Sequence, residues 1–405
     1  MLFKYIASLA VLASSAVAQT NYTGGYNPTF KNMTAVYWGQ NAGAGVDPNK
    51  QYDLLTTCNN TDIDVVIISF VTKFKGKAGL PILNLSNQCG NVFDYAENPN
   101  NKTDILNCPD IGEMITQCQG LGKKVLLSLG GSTYNNAAWK SVAEARDTGN
   151  TLWAMFGPLS TPPYKYRPFG NAIVDGFDLD FEYVANQPFT DTFATHMKAK
   201  YALDKKRTYL LTAAPQCPSP DGALDAALTK VEFDAIFVQF YNNPCQTSTW
   251  AKDKSQMKNT SFNFQLWENW ARTSSANKNI KIFIGFLGGG VPGTTGYVSK
   301  NIAQAIVADS FKFKSFAGVM FWDASILGIN TGILPAVRDV LTGKVVLTKR
   351  EIEEREIEER EIKVPVGGAS TYAAEDYVEV KAPAEAIRSF RRRHVHHRRV
   401  GLLSN

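Results

Sequence analysis

The sequence predicts an α/β fold, specifically a (β/α)8 barrel, because strand-like and helix-like segments alternate along most of the chain. Eight short apolar runs follow one another, and most are apolar at both alternating positions, as parallel strands buried on both faces are. Longer segments, several with helical spacing of apolar residues, lie between them. Eight such alternations indicate a closed barrel. A doubly wound open sheet is the alternative, but no Gly-x-Gly-x-x-Gly segment follows the first run.

The predicted strands are rich in Val, Ile, Leu and Phe, and they are bounded by polar or glycine-containing segments. They cover residues 35–40, 64–70, 124–130, 174–182, 209–214, 235–242, 281–287 and 316–322. Helical spacing is clearest in 110–119, 136–147, 191–203 and 301–309. The barrel is expected to span residues 33–343, after a short N-terminal segment at 19–32.

The first 18 residues read as a secretory signal peptide. Lys4 gives a positive start, residues 5–13 form an apolar run, and Ala16-Val17-Ala18 provides a small-residue cleavage site before Gln19. A membrane anchor is the alternative, but the run is shorter than the ~20 residues that a spanning helix needs. The C-terminus lacks the apolar tail of a lipid-anchor signal. We expect a secreted, extracellular protein with no membrane span.

Composition agrees with a folded, secreted chain. The 405 residues are 44% hydrophobic and 20% charged, which excludes global disorder. The net charge of +5 is too small to argue for nucleic acid, and no nucleic-acid-binding motif occurs. Six Asn-x-Ser/Thr sites are candidates for glycosylation. They are Asn21, Asn32, Asn59, Asn84, Asn101 and Asn259.

The six cysteines are an even number, and in an oxidising compartment they are expected to pair. Their spacing alone leaves every connectivity open. The body of the chain has no Cys-x-x-Cys pair and no His-rich cluster, so we expect neither a metal site nor a cofactor.

Residues 344–405 differ in character and predict a charged, disordered tail. A five-residue repeat fills 349–363, and its isoleucines, Ile352, Ile357 and Ile362, match neither a helix face nor a strand face. We therefore expect an exposed, charged linker, at most transiently helical, with no buried stripe; a dibasic processing site at 349–350 is an alternative. The Arg- and His-rich end at 388–399 predicts a solvated segment, or one that contacts the cell wall or another anionic surface.

The fourth predicted strand carries four carboxylates within eight residues. Side chains alternate along a strand, so Asp178, Asp180 and Glu182 point the same way, into the barrel. Burying three like charges costs several kcal/mol unless some are protonated or hydrogen-bonded. We expect a proton shared between Asp178 and Asp180, and a raised pKa that keeps Glu182 protonated as a general acid. Asp175, at the strand start, is expected to be a structural partner.

Two other interpretations of these acids are a purely stabilising network and a metal site. Hard cations usually draw ligands from loops and carbonyl groups as well. Here Phe177, Leu179 and Phe181 alternate with the acids, which is typical of a strand. The acids therefore indicate proton transfer.

The stretch Asp-Gly-Phe-Asp-Leu-Asp-Phe-Glu at 175–182 resembles the D-x-x-D-x-D-x-E motif of family 18 glycoside hydrolases, the chitinases. Further segments are similar to class III plant and fungal members in the same order along the chain. They are residues 35–41, 124–131 with its S-x-G-G motif, 211–218, 238–243 and 318–322. The resemblance covers roughly residues 33–343 and leaves out the tail.

This resemblance implies a retaining, substrate-assisted mechanism. Glu182 would protonate the glycosidic oxygen, and the substrate's acetamido group would attack the anomeric carbon. Asp180 would orient the acetamido N–H, Asp178 would share its proton with Asp180, and Tyr241 would hydrogen-bond the acetamido oxygen.

Sugar clefts need aromatic surfaces and amide side chains. The resemblance places such residues at strand ends, with Trp322 as the platform under the reacting sugar. The expected substrate-binding residues are Tyr37, Gln40, Gly130, Gln239, Asn242 and Trp322. It also implies three disulfides, Cys58–Cys118, Cys89–Cys108 and Cys217–Cys245.

The sequence therefore predicts a monomeric, secreted endochitinase whose partners are chitin and chitin oligosaccharides. Another family 18 endoglycosidase activity, or a lysozyme-like one, is a close alternative because all would use the same acids. A catalytically silent chitin-binding lectin or inhibitor is a third possibility. The presence of Glu182, Asp180 and Tyr241 counts against silence.

Overall fold

The computed structural model describes residues 25–362, apart from 48, 50, 96–101, 135–138 and 187. The predicted signal peptide, the glycosylation candidates Asn21 and Asn101, and the basic end of the tail lie outside the described residues.

The described chain contains eleven strands and ten α-helices. The strands are β1 (Met33–Trp38), β2 (Val65–Lys73), β3 (Ile82–Leu83), β4 (Val92–Asp94), β5 (Lys102–Leu106), β6 (Lys124–Gly130), β7 (Gly176–Asp180), β8 (Leu210–Ala213), β9 (Ala235–Gln239), β10 (Lys281–Leu287) and β11 (Phe316–Trp322). The helices are α1 (Leu54–Asn59), α2 (Pro109–Gly120), α3 (Val142–Phe156), α4 (Thr190–Tyr201), α5 (Asp225–Leu228), α6 (Phe264–Thr273), α7 (Lys300–Ser310), α8 (Ala324–Ile329), α9 (Ile333–Leu341) and α10 (Lys349–Ile362).

Eight of the strands form a closed parallel barrel, which confirms the predicted fold. The order is β1-β2-β6-β7-β8-β9-β10-β11, and β1 pairs in parallel with both β2 and β11 to close the ring. Each barrel strand corresponds to one of the eight predicted runs. The antiparallel β3 beside β2, and the β4–β5 hairpin, are additions that the apolar pattern did not predict.

The strands are buried on both faces, as their composition predicted. On β1, Ala35 and Tyr37 belong to the cluster inside the barrel, whereas Val36 and Trp38 pack in the layer between strands and helices. The N-terminal ends of the strands are covered by the segment before β1. There Tyr26 donates a hydrogen bond to the carbonyl of Asp234 (2.8 Å).

Three disulfides join the pairs that the resemblance implies. Cys58–Cys118 links α1 to α2, and Cys89–Cys108 ties a loop to the start of α2. Cys217–Cys245 joins the segments that follow β8 and β9, at the C-terminal end of the barrel. Each bridge restricts the unfolded chain and so stabilises the fold.

The start of the tail differs from our expectation. Residues 349–362 form α10, which lies against α7 and the 3₁₀ helix Thr247–Lys252. Ile352 packs on the core, Arg355 donates to the carbonyl of Asn301 (2.9 Å), and Glu356 pairs with Lys254 (3.0 Å). The prediction of an exposed linker without a buried face is wrong here, because one isoleucine and two charged residues at helical spacing form the contact. The expected disorder beyond 362 stays a prediction.

Candidate active site

The acids of the fourth barrel strand lie at the C-terminal end of the barrel, where (β/α)8 enzymes carry their active sites. Asp178 and Asp180 belong to β7 and are 0% and 4% exposed. Glu182 follows two residues after the strand and is partly exposed. Alternation along β7 puts Asp178 and Asp180 on one face, directed into the barrel, as the sequence predicted.

Asp178 is held by three hydroxyl groups from three neighbouring elements. Its Oδ2 accepts hydrogen bonds from Tyr37 and Ser128, and its Oδ1 accepts one from Thr212, each at 2.7 Å. Burial raises the pKa of Asp178, while the three hydrogen bonds lower it. Because hydrogen bonds to a carboxylate favour its charged form, Asp178 is the acid best able to stay ionised.

Asp180 is placed to hold a proton. Its Oδ1 accepts a hydrogen bond from Gln239 Nε2 at 2.7 Å. Burial, followed by the negative charges of Glu182, Asp178 and Asp221, raises the pKa of Asp180 well above its usual range. We therefore place the proton of the Asp178–Asp180 pair on Asp180 in the free protein, which refines the shared proton expected from the sequence.

Glu182 has the properties of a general acid. Burial is the main cause that raises its pKa, and the charge of Asp221 adds to the rise, while hydrogen bonds from Gln239 and Gln216 lower it. The Gln216 Nε2–Glu182 Oε2 distance is long, 3.5 Å. A raised pKa favours the protonated carboxyl, which is the form that a general acid needs.

Tyr241 follows β9 and is 5% exposed. Burial, and then the negative charges of Asp180, Glu182 and Asp178, raise its pKa well above the usual value for a tyrosine. Its phenol therefore keeps its proton at ordinary pH and is able to donate a hydrogen bond beside the acids.

An aromatic wall stands at the other side of the barrel mouth. Trp322, at the end of β11, stacks on Phe70 with ring centres 5.8 Å apart, and its centre lies 5.7 Å from that of Tyr37. The sequence had singled out Trp322 and Tyr37. Phe70 was missed because it reads as one more apolar residue of a buried strand.

Two of the expected binding amides are engaged by the protein itself. Gln40 Nε2 donates to the carbonyls of Ser69 (3.0 Å) and Asn84 (2.8 Å). Asn242 Oδ1 accepts from the Thr295 backbone N–H (2.8 Å), which ties the loop after β9 to the loop after β10. These amides shape the walls of the site, whereas Gln239 bonds directly to an acid.

Gly130 allows the backbones of β6 and β7 to pack closely. Its φ is +114°, and a Cβ there would lie 2.3 Å from the carbonyl oxygen of Asp180. Any side chain would push β6 away from the acid-bearing strand, so the glycine of the S-x-G-G motif lets the two strands approach closely. Its contact with substrate stays a prediction.

Asp175 has the structural role that the sequence predicted. Its Oδ2 accepts from the backbone N–H of Val125 and from Gln119 Nε2, both at 2.9 Å, and its Oδ1 pairs with Lys124 at 3.3 Å. It thus joins the starts of β6 and β7, away from the chemistry.

Several contributors to the site were not identified from the sequence. Ser128 and Thr212 could have been identified from the strand register, because both lie directly opposite Asp178 on the adjacent strands. Asp221 has no comparable signal because it lies in a loop. Among the described residues, no group of three or more His, Cys, Asp or Glu side chains is arranged to hold a metal ion.

The chain is similar in sequence to known proteins. The family description "Glycosyl hydrolases family 18" matches residues 33–322. Endochitinase 33 of Trichoderma harzianum is 38% identical over 337 residues, which are 83% of this chain and 98% of that protein. A class III chitinase of Arthroderma benhamiae is 37% identical over 337 residues, covering 82% and 92%.

Solved structures show that the same fold carries different activities. A chitinase from Ipomoea carnea is 27% identical with a TM-score of 0.59, covering 76% of this chain and 99% of that one. A xylanase and α-amylase inhibitor from Scadoxus multiflorus is 26% identical, also with a TM-score of 0.59, covering 78% and 99%. The family match and the fungal relatives decide the classification: this chain belongs to family 18 of the glycosyl hydrolases.

Proposed function

We propose that the protein is a secreted endochitinase that hydrolyses internal β-1,4 bonds of N-acetylglucosamine polymers with retention of configuration. The observation that carries the proposal is the set of acids with raised pKa at one barrel end, with Glu182 foremost and partly exposed. The names of the fungal relatives supply the substrate class and the internal mode of cleavage.

In the first step, Glu182 donates its proton to the glycosidic oxygen and the bond to the leaving sugar breaks. The carbonyl oxygen of the substrate's own 2-acetamido group attacks the anomeric carbon, and an oxazolinium ion forms. This group replaces the carboxylate nucleophile of the usual retaining scheme. Tyr241, kept neutral by its surroundings, donates a hydrogen bond to the acetamido oxygen and so orients the attack.

The developing positive charge of the oxazolinium requires a carboxylate close to the acetamido nitrogen. Asp180 turns toward this N–H, and its proton passes to the Asp178 side, where three hydroxyl groups are able to reorient around either protonation state. Glu182, now ionised, removes a proton from water as the water attacks the anomeric carbon from the leaving-group face. The bond between the anomeric carbon and the acetamido oxygen breaks in the same step, which opens the oxazolinium ring and restores the acetamido group. The product keeps the β-configuration, and Glu182 regains its proton.

The platform for the sugar is the aromatic wall. The apolar faces of pyranose rings stack well on rings such as that of Trp322, while hydroxyl groups reach the polar rim. Phe70 and Tyr37 hold Trp322 in place from two sides.

The stereochemistry of the product tests the mechanism. Fresh hydrolysate of a soluble chitin oligomer is followed by proton NMR, and we expect the β-anomer to appear first. A first product in the α-form, or rapid cleavage of an oligomer without N-acetyl groups, would exclude participation of the acetamido group. Analysis of the oligomer sizes released from a hexamer separates internal cleavage from release of single sugars.

Binding without catalysis is the second candidate, and it is favoured by the structural similarity to an inhibitor protein. A chain that binds chitin oligomers but releases no reducing ends at any pH would support it. The acid, its aspartate partner and the tyrosine all have the environments that hydrolysis requires, so we rank the enzyme first.

Secretion is proposed on separate grounds. Three disulfides are typical of proteins that fold in an oxidising compartment, and no described helix is long and apolar enough to cross a bilayer. Sequencing the N-terminus of the protein recovered from culture medium is expected to give Gln19 as the first residue.

A further inference from the structure

Asp221 is a buried carboxylate that the mechanism above does not use. It lies in the loop between β8 and α5 and is 5% exposed. Its Oδ2 accepts from the backbone N–H of Gln216 (3.0 Å), and its Oδ1 accepts from those of Ala223 (2.9 Å) and Leu224 (2.7 Å). One carboxylate thus closes the loop across eight residues of chain.

The loop that Asp221 closes lies against the acid-bearing segment at two points. Gln216, at one end of the loop, directs its Nε2 to Glu182 Oε2. At the other end, a Cβ on Gly222 would lie 3.1 Å from a methyl carbon of Val184, two residues after the acid. The Gln216 backbone also forms a parallel bridge with Gln239, which bonds to Asp180.

Acidic side chains cluster around this point. Glu182 is faced by Asp221 across the loop, by Asp180 on β7 and by the neutral phenol of Tyr241 after β9. Asp221 is in turn faced by Asp225, at the start of α5. Burial raises the pKa of Asp221 to about 6 against the effect of its three backbone hydrogen bonds, so Asp221 is ionised at neutral pH and acts on the acid as a negative charge.

We propose that Asp221 is a positioning residue for Glu182: its backbone hydrogen bonds hold the loop that presents Gln216 to the acid, and its carboxylate places a fixed negative charge beside Gln216. The inference rests on the proposed role of Glu182 as the general acid. It assigns to the Cys-Pro-Ser-Pro-Asp loop an electrostatic function in addition to a structural one.

Replacing the charge while keeping the shape separates these two functions. In Asp221→Asn, one oxygen still accepts backbone hydrogen bonds, but the negative charge is gone. Since that charge raises the pKa of Glu182, its loss lets Glu182 lose its proton at lower pH. We expect the alkaline limb of the kcat–pH profile to move to lower pH, with a larger loss of kcat at pH 7 than at pH 5 and little change in KM. Asp221→Ala also frees the loop, and a displaced catalytic group costs up to about 100-fold in rate.

Asp204 provides a matched control. Its carboxylate accepts from the Lys206 backbone N–H (2.9 Å) and from Tyr209 (2.7 Å), at the opposite end of the barrel. Asp204→Asn is expected to lower the melting temperature without moving the pH profile. If Asp221→Asn lowers the melting temperature but leaves the alkaline limb where the wild type has it, the carboxylate only closes the loop and the proposal is overturned.

A second readout does not depend on turnover. Carbon-13 NMR titration of the glutamate carboxyls, with the Glu182 signal assigned by its loss in Glu182→Gln, gives the pKa of Glu182 directly. We expect a lower pKa in Asp221→Asn than in the wild type, and an equal pKa refutes the proposal. A wild type that cleaves no chitin oligomer refutes the proposed function instead, and the titration still decides the role of Asp221.

Discussion

The repeat in α10 offers a test of whether the tail helix packs on the barrel. Ile352 and Ile357 have the same local sequence, Glu-Ile-Glu-Glu-Arg, in consecutive repeats. Ile352 packs against the core, whereas Ile357 is 53% exposed. Ile352→Ala and Ile357→Ala therefore change helix propensity equally, and only the first removes a tertiary contact.

The expected magnitude follows from the burial of the side chain. Fully burying an isoleucine contributes about 1.5–3 kcal/mol, and Ile352 is partly buried. Ile352→Ala is therefore expected to cost about 1–2 kcal/mol of unfolding free energy, and Ile357→Ala about zero. At an unfolding entropy of about 2.1 cal/mol/K per residue, each kcal/mol lowers the melting temperature of a barrel of this size by about 1.5 °C. The first variant is thus expected to melt about 1.5–3 °C below the second.

The assay is thermal unfolding of the full-length variants, followed by circular dichroism at one protein concentration and one pH. Activity on a soluble chitin oligomer at 25 °C should be the same for both, since neither residue reaches the acids. Equal melting temperatures would show that α10 does not pack on the barrel and would favour the exposed linker expected from the sequence. Loss of activity in Ile352→Ala alone would show that α10 supports the site, through the 3₁₀ helix that follows Tyr241.

Three further predictions concern the barrel mouth. Glu182→Gln should lower kcat about 100-fold or more while calorimetry still detects oligomer binding; near-normal turnover would end the proposed mechanism. Tyr241→Phe removes one hydrogen bond to a group that becomes charged, worth about 1.5–3 kcal/mol, so kcat should fall about 10- to 150-fold with KM nearly unchanged; a change in KM alone would show a role in binding only. Burial raises the pKa of Asp323 from 3.8 to about 6, so its stabilising contribution is complete below pH 4 and is lost as pH rises through 6. At about 1.4 kcal/mol per pKa unit this is roughly 3 kcal/mol, and Asp323→Asn should flatten the fall in melting temperature between pH 4 and 7; an unchanged slope would contradict the assignment.

The fold was predictable because each strand of a parallel barrel is apolar on both faces, and this pattern can be recognised in each strand separately. Runs such as Val65–Lys73 are apolar on both faces, and that property is visible without any knowledge of the neighbours. The error in the tail has the opposite origin. The face of α10 that meets α7 contains Ile352, Arg355 and Glu356, and charged residues that contact a partner look the same in sequence as charged residues that contact water.

In the site, too, the features that depend on one strand could be predicted, and those that depend on several strands could not. Alternation along one strand predicted that Asp178 and Asp180 share a face, because that relation is local. The donors that decide which acid holds the proton come from β1, β6, β8 and β9, and the sequence does not state how many of them reach each oxygen. Asp178 receives three hydroxyl groups, and Asp180 receives the amide of Gln239. The two carboxylates are both buried, but they differ in the number of hydrogen bonds that they accept, and this difference decides which of them holds the proton.

The same reasoning explains why fold similarity alone does not decide activity in this family. A chitinase and an inhibitor of other enzymes align with this chain at the same TM-score, so the barrel is compatible with either function. The proposed mechanism requires a proton that stays on Glu182 until the sugar arrives and an ionised Asp178 that is able to take up the proton of Asp180. Both conditions depend on burial and on a few donors at the strand ends, among them Tyr37, and we expect a single substitution there to remove them without altering the barrel. Activity in such a protein is therefore to be judged from the protonation states of its acids.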